Sequence, residues 1–452
     1  MSKQAVAVLI ERPMTARATA ASLSVLVSAL AAACSSPAPP GASDAGQADA
    51  ARDDRGSADA QLGDSAAGDG SVADGVVDAG APTDAAPAID AAVLDAGNHL
   101  DASSDLDAGA RLDASQPFVY VGSDNGNISV YALDAANGTL TPRGQTAAGS
   151  NPSFLAVDPG HRYLYAVNEG GAAGQVAAFE IDPANGALRF LNRVSSGGRG
   201  PAHLSVDATG RWVLVANYGD GTVAVLPIRA DGRLGPAADS EAPGLNAHLI
   251  ITDPADRFAF VPCLGSNLIA QFAFDATSGA LTPNTVPSVA SMTGAGPRHL
   301  AFHPSARWAY AINERNSTMT TYAYDAATGR LTADQTLSTL PAGYSGSNTC
   351  AEVAVHPSGR FVLGSNRGHD SIVVFAVDDT RGALSLIGHT PTGGQTPRSF
   401  GLTPDGSLLL VANQQSEDVF AFRVELASGG LTSLGRVAQV NRPAFVGVVT
   451  LP

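Results

Sequence analysis

The chain has 452 residues and a formal net charge of −16 at pH 7, a length that allows two or three domains. The acidity is local: residues 35–115 hold sixteen Asp and three Arg, a balance of −13, whereas residues 116–452 carry only −5. No basic stripe occurs anywhere, which argues against a nucleic-acid partner.

In chain order, the first segment reads as a targeting signal. Arg17 is followed by an apolar run from Ala20 to Ala33, broken only by Ser22, Ser24 and Ser28, and then by Cys34. The run is too short to span a bilayer as a helix. Small residues ending at a Cys resemble a bacterial lipobox, in which the Cys is acylated after cleavage, although Leu30 stands one place earlier than usual. Residues 1–34 are therefore read as a lipoprotein signal peptide with Cys34 as the lipidation site. The expected location is the periplasm or the cell surface, anchored in the membrane. Met14 is an alternative start, and ordinary cleavage into a secreted protein is the alternative outcome.

Residues 35–115 contain almost nothing that could build a core. Asp-Ala-Gly units begin at Asp44, Asp78, Asp95 and Asp107. Low hydrophobicity and like-charge repulsion cannot offset the entropy of ordering, so this stretch is expected to be a disordered tether. A flexible coil of that length spans about 50 Å on average.

From residue 116 onward one pattern repeats. An apolar strand begins at Phe118, Tyr163, Trp212, Phe258, Trp308, Phe361 and Leu408, at intervals of 45 to 53 residues. Each is followed by a second alternating strand and a Gly-x-Leu turn, at Gly138, Gly186, Gly232, Gly279, Gly329, Gly382 and Gly429. From the second copy onward a short strand and a turn such as Asp158-Pro-Gly or His356-Pro-Ser-Gly come first. The spacing suits one four-stranded propeller blade per repeat. Only six leading strands precede seven apolar ones. The missing one lies at the other end, in Arg442-Pro-Ala-Phe-Val-Gly-Val-Val, and it can pair with the strand at Phe118 and hide both edges. The expectation is an all-β, seven-bladed β-propeller over residues 116–452, its first blade closed by the C-terminal strand. Of the cysteines inside it, Cys263 and Cys350, sequence does not decide whether they pair, and unpaired thiols are expected.

The first two strands of a blade are antiparallel, so the start of the first and the end of the second share one rim of the central channel. Residues at those places converge at the channel mouth, a usual setting for a small-molecule site. At first-strand starts lie His203, His248, Arg298 with His299, Glu352 and Arg398. At second-strand ends lie Asn168-Glu169, Asn217-Tyr218, Asn313-Glu314, Asn366-Arg367 and Asn413-Gln414. Each Asn has two readings, a ligand contact or a bond to nearby backbone at the strand end. Arginine forks suit carboxylate or phosphate, and Glu314 or His248 could activate water beside them. His303 and His356 fall on the opposite rim and read as turn residues. There is no HExxH, CxxC pair, P-loop or Gly-x-Ser-x-Gly elbow, and a metal is disfavoured.

Several runs are more specific. Gly296-Pro-Arg-His-Leu-Ala-Phe-His-Pro with Tyr310-Ala-Ile-Asn-Glu, Asn366-Arg-Gly-His-Asp-Ser-Ile, and Pro397-Arg-Ser-Phe-Gly-Leu-Thr-Pro with Val411-Ala-Asn-Gln-Gln-Ser resemble the lactonase family of seven-bladed propellers. That family includes the propeller type of 6-phosphogluconolactonase and carboxymuconate-cyclising enzymes. The resemblance covers about residues 117–452. It implies a cofactor-free, metal-free hydrolysis of an anionic sugar lactone, with His248, Arg298, Glu314 and Arg367 as catalytic residues. Arg298 and Arg367 would bind the anionic group or polarise the carbonyl, and Glu314 or His248 would deliver water or a proton. His203, His299, Asn313, Asn366 and Arg398 are the expected substrate-binding residues. Departures fall in the blade of His248, with Leu245-Asn-Ala-His and Cys263-Leu-Gly-Ser-Asn where the family favours a Pro-His start and acidic residues. An exported relative would not meet a cytoplasmic phosphorylated lactone, which points to another lactone. The alternatives are a non-catalytic surface propeller binding a protein or glycan, and a muconate-type cyclase acting on a dicarboxylate. The domain is expected to be a monomer acting on a small lactone or carboxylate.

Overall fold

The computed structural model describes residues 117–451. The signal peptide and tether read from residues 1–115 lie outside them. The described residues form 28 β-strands in seven four-stranded antiparallel sheets. Six sheets use four consecutive strands. The first joins Pro117–Ser123, Asn127–Asp134 and Thr139–Ala147 to the last strand of the chain, Pro443–Thr450. Pro117 pairs with Thr450 and Gly122 with Phe445, so the two ends of the domain are stitched into one blade. This is the closed seven-bladed β-propeller that the repeat arithmetic predicts.

Its core is divided into seven hydrophobic clusters, one between each pair of neighbouring blades. The strand that opens each sequence repeat is covered on both faces, and Tyr163–Asn168, Trp308–Asn313 and Leu408–Asn413 are buried at every residue. A strand covered on both faces needs no polar side, which is why these stretches read as continuous apolar runs.

Two devices lock blade to blade. Buried Tyr120, Tyr165 and Tyr310 donate their hydroxyls to the carbonyls of Gly186, Gly232 and Gly382 in the next blade, at 2.9, 3.1 and 3.1 Å. The aromatic residue at the head of a covered strand also lies on that same turn. At Gly279, where φ is 78°, an added Cβ would fall 2.7 Å from the Trp212 ring. Left-handed backbone and a close aromatic neighbour both require glycine there.

The turns of the opposite rim are held by their own side chains. Asp207 Oδ1 accepts the backbone N–H groups of Arg211 and Trp212, both at 2.8 Å. His303 and His356 bond Ser305 and Ser358 through Nδ1, and reach the carbonyls of Gly359 and Gly406 in the next blade through Nε2, at 2.9 and 3.0 Å. Both are turn residues, as read. Cys263 and Cys350 are free, buried thiols.

Candidate functional site at the channel mouth

Each innermost strand enters the channel wall at the same step of the pattern. The innermost strand of blade five, Pro297–Phe302, carries a β-bulge at its start: Pro297 pairs with Asn313 and His299 with Ile312, leaving Arg298 as the extra residue. Blade seven repeats this with Pro397, Ser399 and the extra Arg398, and blade three with Pro201, His203 and the extra Ala202. A bulge re-aims the side chain of its extra residue. Blades five and seven therefore deliver an arginine where blade three has only a methyl group.

The position that follows the bulge in blades three, five and seven recurs in the sequence of every blade, as Phe154, His203, His248, His299, Glu352, Ser399 and Phe445. Their contacts follow the ring. Phe445 meets Phe154 with centroids 4.8 Å apart, Phe154 meets His203 at 4.2 Å, and His299 lies 5.5 Å from His203 and 5.1 Å from His248. His299 Nδ1 is 2.8 Å from Glu352 Oε1. In blade four the innermost strand is reduced to Ile251–Thr252, yet His248 N still donates to Pro262 O at 3.0 Å, which holds His248 in register with the others.

The ends of the second strands add a layer of charge. Glu314 Oε2 lies 3.0 Å from Arg298 Nε and 3.0 Å from Arg367 Nη2, so one carboxylate oxygen sits between two guanidiniums. Arg298 Nη1 also donates to Ala351 O at 2.6 Å, and Arg367 Nη2 to Cys350 O at 2.8 Å. Arg398 faces Glu169 at 3.9 Å. Arg298 is deeply placed, its side chain 4% exposed, whereas Glu314 and Arg398 are each 22% exposed and Arg367 14%. The site thus has an accessible tier of Glu314, Arg367, Arg398 and Glu169 above a buried tier of Arg298 and the histidines.

Burial and the surrounding positive charge set the protonation states. Desolvation first, then neighbouring charges that include Arg298, hold His203, His248 and His299 well below the usual histidine range, so all three are neutral at pH 7. Burial raises the Glu352 carboxyl to about 7 against the pull of Arg298. Burial and the nearby Arg367 lower Arg298 to about 9, still protonated at neutral pH. His248 Nδ1 is buried with no hydrogen-bond partner among the described residues, as are the Nε groups of Arg298 and Arg367; that of Arg298 lies 3.0 Å from Glu314 Oε2 without forming a hydrogen bond. No cluster of three or more His, Cys, Asp or Glu suited to a metal occurs among the described residues.

Of the residues read from sequence, His203, His248, Arg298, His299, Glu314, Arg367 and Arg398 converge at this mouth. Asn313 and Asn366 lie beside it but turn into their hairpins. Asn366 donates to Thr339 O and Ser371 Oγ while its Oδ1 accepts from Thr339 Oγ1, and Asn313 donates to Thr318 and Thr320. Neither amide has a donor left for a ligand, and none of the five strand-end Asn adopts left-handed backbone. The aromatic members, Phe154 and Phe445, are absent from the sequence-derived set. Their signal was positional, since each follows Pro-x at the head of an innermost strand as His203 and His299 do.

Three comparisons bear on this arrangement. The family model described as lactonase, seven-bladed β-propeller, matches residues 118–448. The chain is 32% identical over 293 residues to the 6-phosphogluconolactonase of Bacillus subtilis, covering 62% of this chain and 83% of that protein. It is 35% identical over 289 residues to the 6-phosphogluconolactonase of Pectobacterium carotovorum, covering 64% and 85%. Among solved structures, the periplasmic gluconolactonase of Pseudomonas aeruginosa superposes with a TM-score of 0.70 at 31% identity, over 75% of this chain and all of that one.

Proposed function

Because the chain belongs to the lactonase family of seven-bladed β-propellers, we propose that it is a lactone hydrolase that opens a sugar lactone with water at the channel mouth. One observation carries the assignment of the site: Glu314 held between Arg298 and Arg367, at 3.0 Å from each, on the rim where the histidine ring converges. Both ion pairs fall on Oε2, and Oε1 of Glu314 has no hydrogen bond among the described residues. In this reading Oε1 takes a proton from water as the water oxygen attacks the lactone carbonyl carbon. Negative charge builds on the carbonyl oxygen, and Arg367 and Arg398, the more accessible arginines, stabilise it. The ring C–O bond then breaks. The proton that Glu314 took from water passes to the ring oxygen and makes it a hydroxyl, relayed by neutral His248, which accepts it on one ring nitrogen as it gives up the proton of the other. Glu314 is again a carboxylate, and the carboxylic acid product leaves as a carboxylate and a proton.

The substrate class is an aldonolactone, and the arginines further suit a carboxylate or phosphate on it. The arginines are offset by Glu314 and Glu169 and in part by Glu352, so the mouth is not strongly cationic, and a non-phosphorylated sugar lactone fits it. The periplasmic relative supports an exported enzyme acting on such a lactone outside the cytoplasm, and the Arg17 to Cys34 segment supports a lipid anchor.

The test is titration of acid released by the full-length protein from a panel of aldono-1,5-lactones with and without phosphate, corrected for spontaneous opening. Turnover that falls at least about 100-fold in Glu314→Gln with the fold retained supports the reading. Absence of turnover on the whole panel, or full turnover by Glu314→Gln, removes it.

A further inference from the structure

Arg298 is the least accessible charge of the site, and its anchoring is unusual. Its Nη1 meets two acceptors: Ala351 O at 2.6 Å and the ring of its own neighbour, His299, whose Nε2 lies 3.4 Å away. A guanidinium can only donate, so Nε2 of His299 has to carry a lone pair. The other end of the ring points the same way. Glu352 Oε1, 2.8 Å from His299 Nδ1, also accepts the backbone N–H of Val353 at 3.2 Å. Above its value of about 7 the Glu352 carboxyl is ionised and can only accept, so Oε1 accepts from His299 as well and Nδ1 carries the proton. Both neighbours of the imidazole dictate one tautomer.

We propose that Glu352 and His299 are positioning residues: they fix a neutral Nδ1–H imidazole whose Nε2 clamps Arg298 against Ala351, so that its Nε edge stays turned to Glu314. This rests on the lactonase reading only for its kinetic consequence. His299 is 1% exposed and lies between Arg298 and Glu352, so it acts through Arg298 and not on substrate. The groups that face the pair are Arg298 from its own strand, His203 and His248 from the two preceding blades, and Arg367 and Arg398 at the mouth. The arginines and the burial all disfavour a cationic imidazole, which would turn an N–H toward Arg298 and break the clamp.

The experiment is two-dimensional ¹⁵N–¹H NMR of ¹⁵N-histidine-labelled full-length protein, with His299 assigned by its loss in His299→Gln. The expected result is a neutral ring protonated at Nδ1 at pH 8, retained in Glu352→Gln, whose carbonyl can replace Oε1, and lost in Glu352→Leu. A ring protonated at Nε2, or one indifferent to Glu352→Leu, overturns the proposal whether or not any lactone is turned over. In the kinetic arm, Glu352→Leu is expected to lower kcat at least tenfold with KM within about threefold, and Glu352→Gln to recover most of kcat. Full kcat in Glu352→Leu also overturns it. If Glu352→Leu does not fold, the tautomer in the wild-type protein and in Glu352→Gln still decides.

Discussion

A carboxylic acid at the bottom of a ring of neutral histidines has a measurable consequence for stability. The Glu352 carboxyl is raised from 4.5 to about 7 by burial, so the folded protein holds its proton more tightly than the unfolded chain does. The contribution is therefore fully present below the unfolded value near 4.5 and is lost as pH rises through 7. That loss amounts to about 3 kcal/mol at most. Glu352→Gln, which has no proton to lose, is expected to gain stability over the wild type between pH 5 and pH 8. Urea unfolding at both pH values measures it, and an unchanged difference between the two proteins contradicts it. Most of the residues at this scale were legible in the sequence, because arginines and histidines at repeated strand heads have no structural reason to recur there. The direction of each side chain was not. Asn313 and Asn366 stand at rim positions like Glu314 and Arg367, yet their short amides satisfy strand-end backbone and hydroxyl groups, whereas the longer side chains pass beyond the hairpin. Phe154 and Phe445 were missed because an apolar residue in a strand reads as core, and only the blade-to-blade alignment shows that they face the channel.

Individual turns carry the joints between blades. Six of the seven Gly-x-Leu turns serve two neighbours, since each closes its own hairpin and receives the leading aromatic side chain of the blade before, and three of them also accept a tyrosine hydroxyl. Gly279 shows the demand most clearly, with φ of 78° and the Trp212 ring 2.7 Å from where a Cβ would stand. Gly279→Ala is expected to cost about 1–3 kcal/mol from backbone strain and displacement of the indole. Thermal or urea denaturation checks this, and a loss below about 0.5 kcal/mol would mean that the turn relaxes freely. The bulges matter in the same way for function. Pro-Arg-His and Pro-Arg-Ser are visible in the sequence, but the extra residue that lets Arg298 and His299 both join the site is a feature of pairing. It became visible only with Pro297 opposite Asn313 and His299 opposite Ile312.

At the scale of the whole molecule, a closed ring on a long acidic leader implies a division between catalysis and placement. With Cys34 as the acyl acceptor, Cys34→Ser is expected to move the protein from the membrane fraction to the soluble extract without changing turnover of lactone. Fractionation and labelling with a radioactive or clickable fatty acid in a bacterial host test this, and an unlabelled wild-type protein would leave simple secretion as the explanation. The number of blades, the closure of the first by the last strand and the rim bearing the chemistry all follow from the sequence, because a repeat of about 50 residues with turn glycines and buried strands admits few other arrangements. The chemistry of that rim was decided by tertiary structure. Glu314 comes from one blade and Arg367 from the next, more than 50 residues apart, and their 3.0 Å contact depends on how two packed sheets twist against each other. The tautomer of His299 likewise depends on Val353 and Glu352 from the adjoining blade. Local sequence sets strands and turns through short-range sterics, whereas distances across the channel are set by the packing of all seven blades.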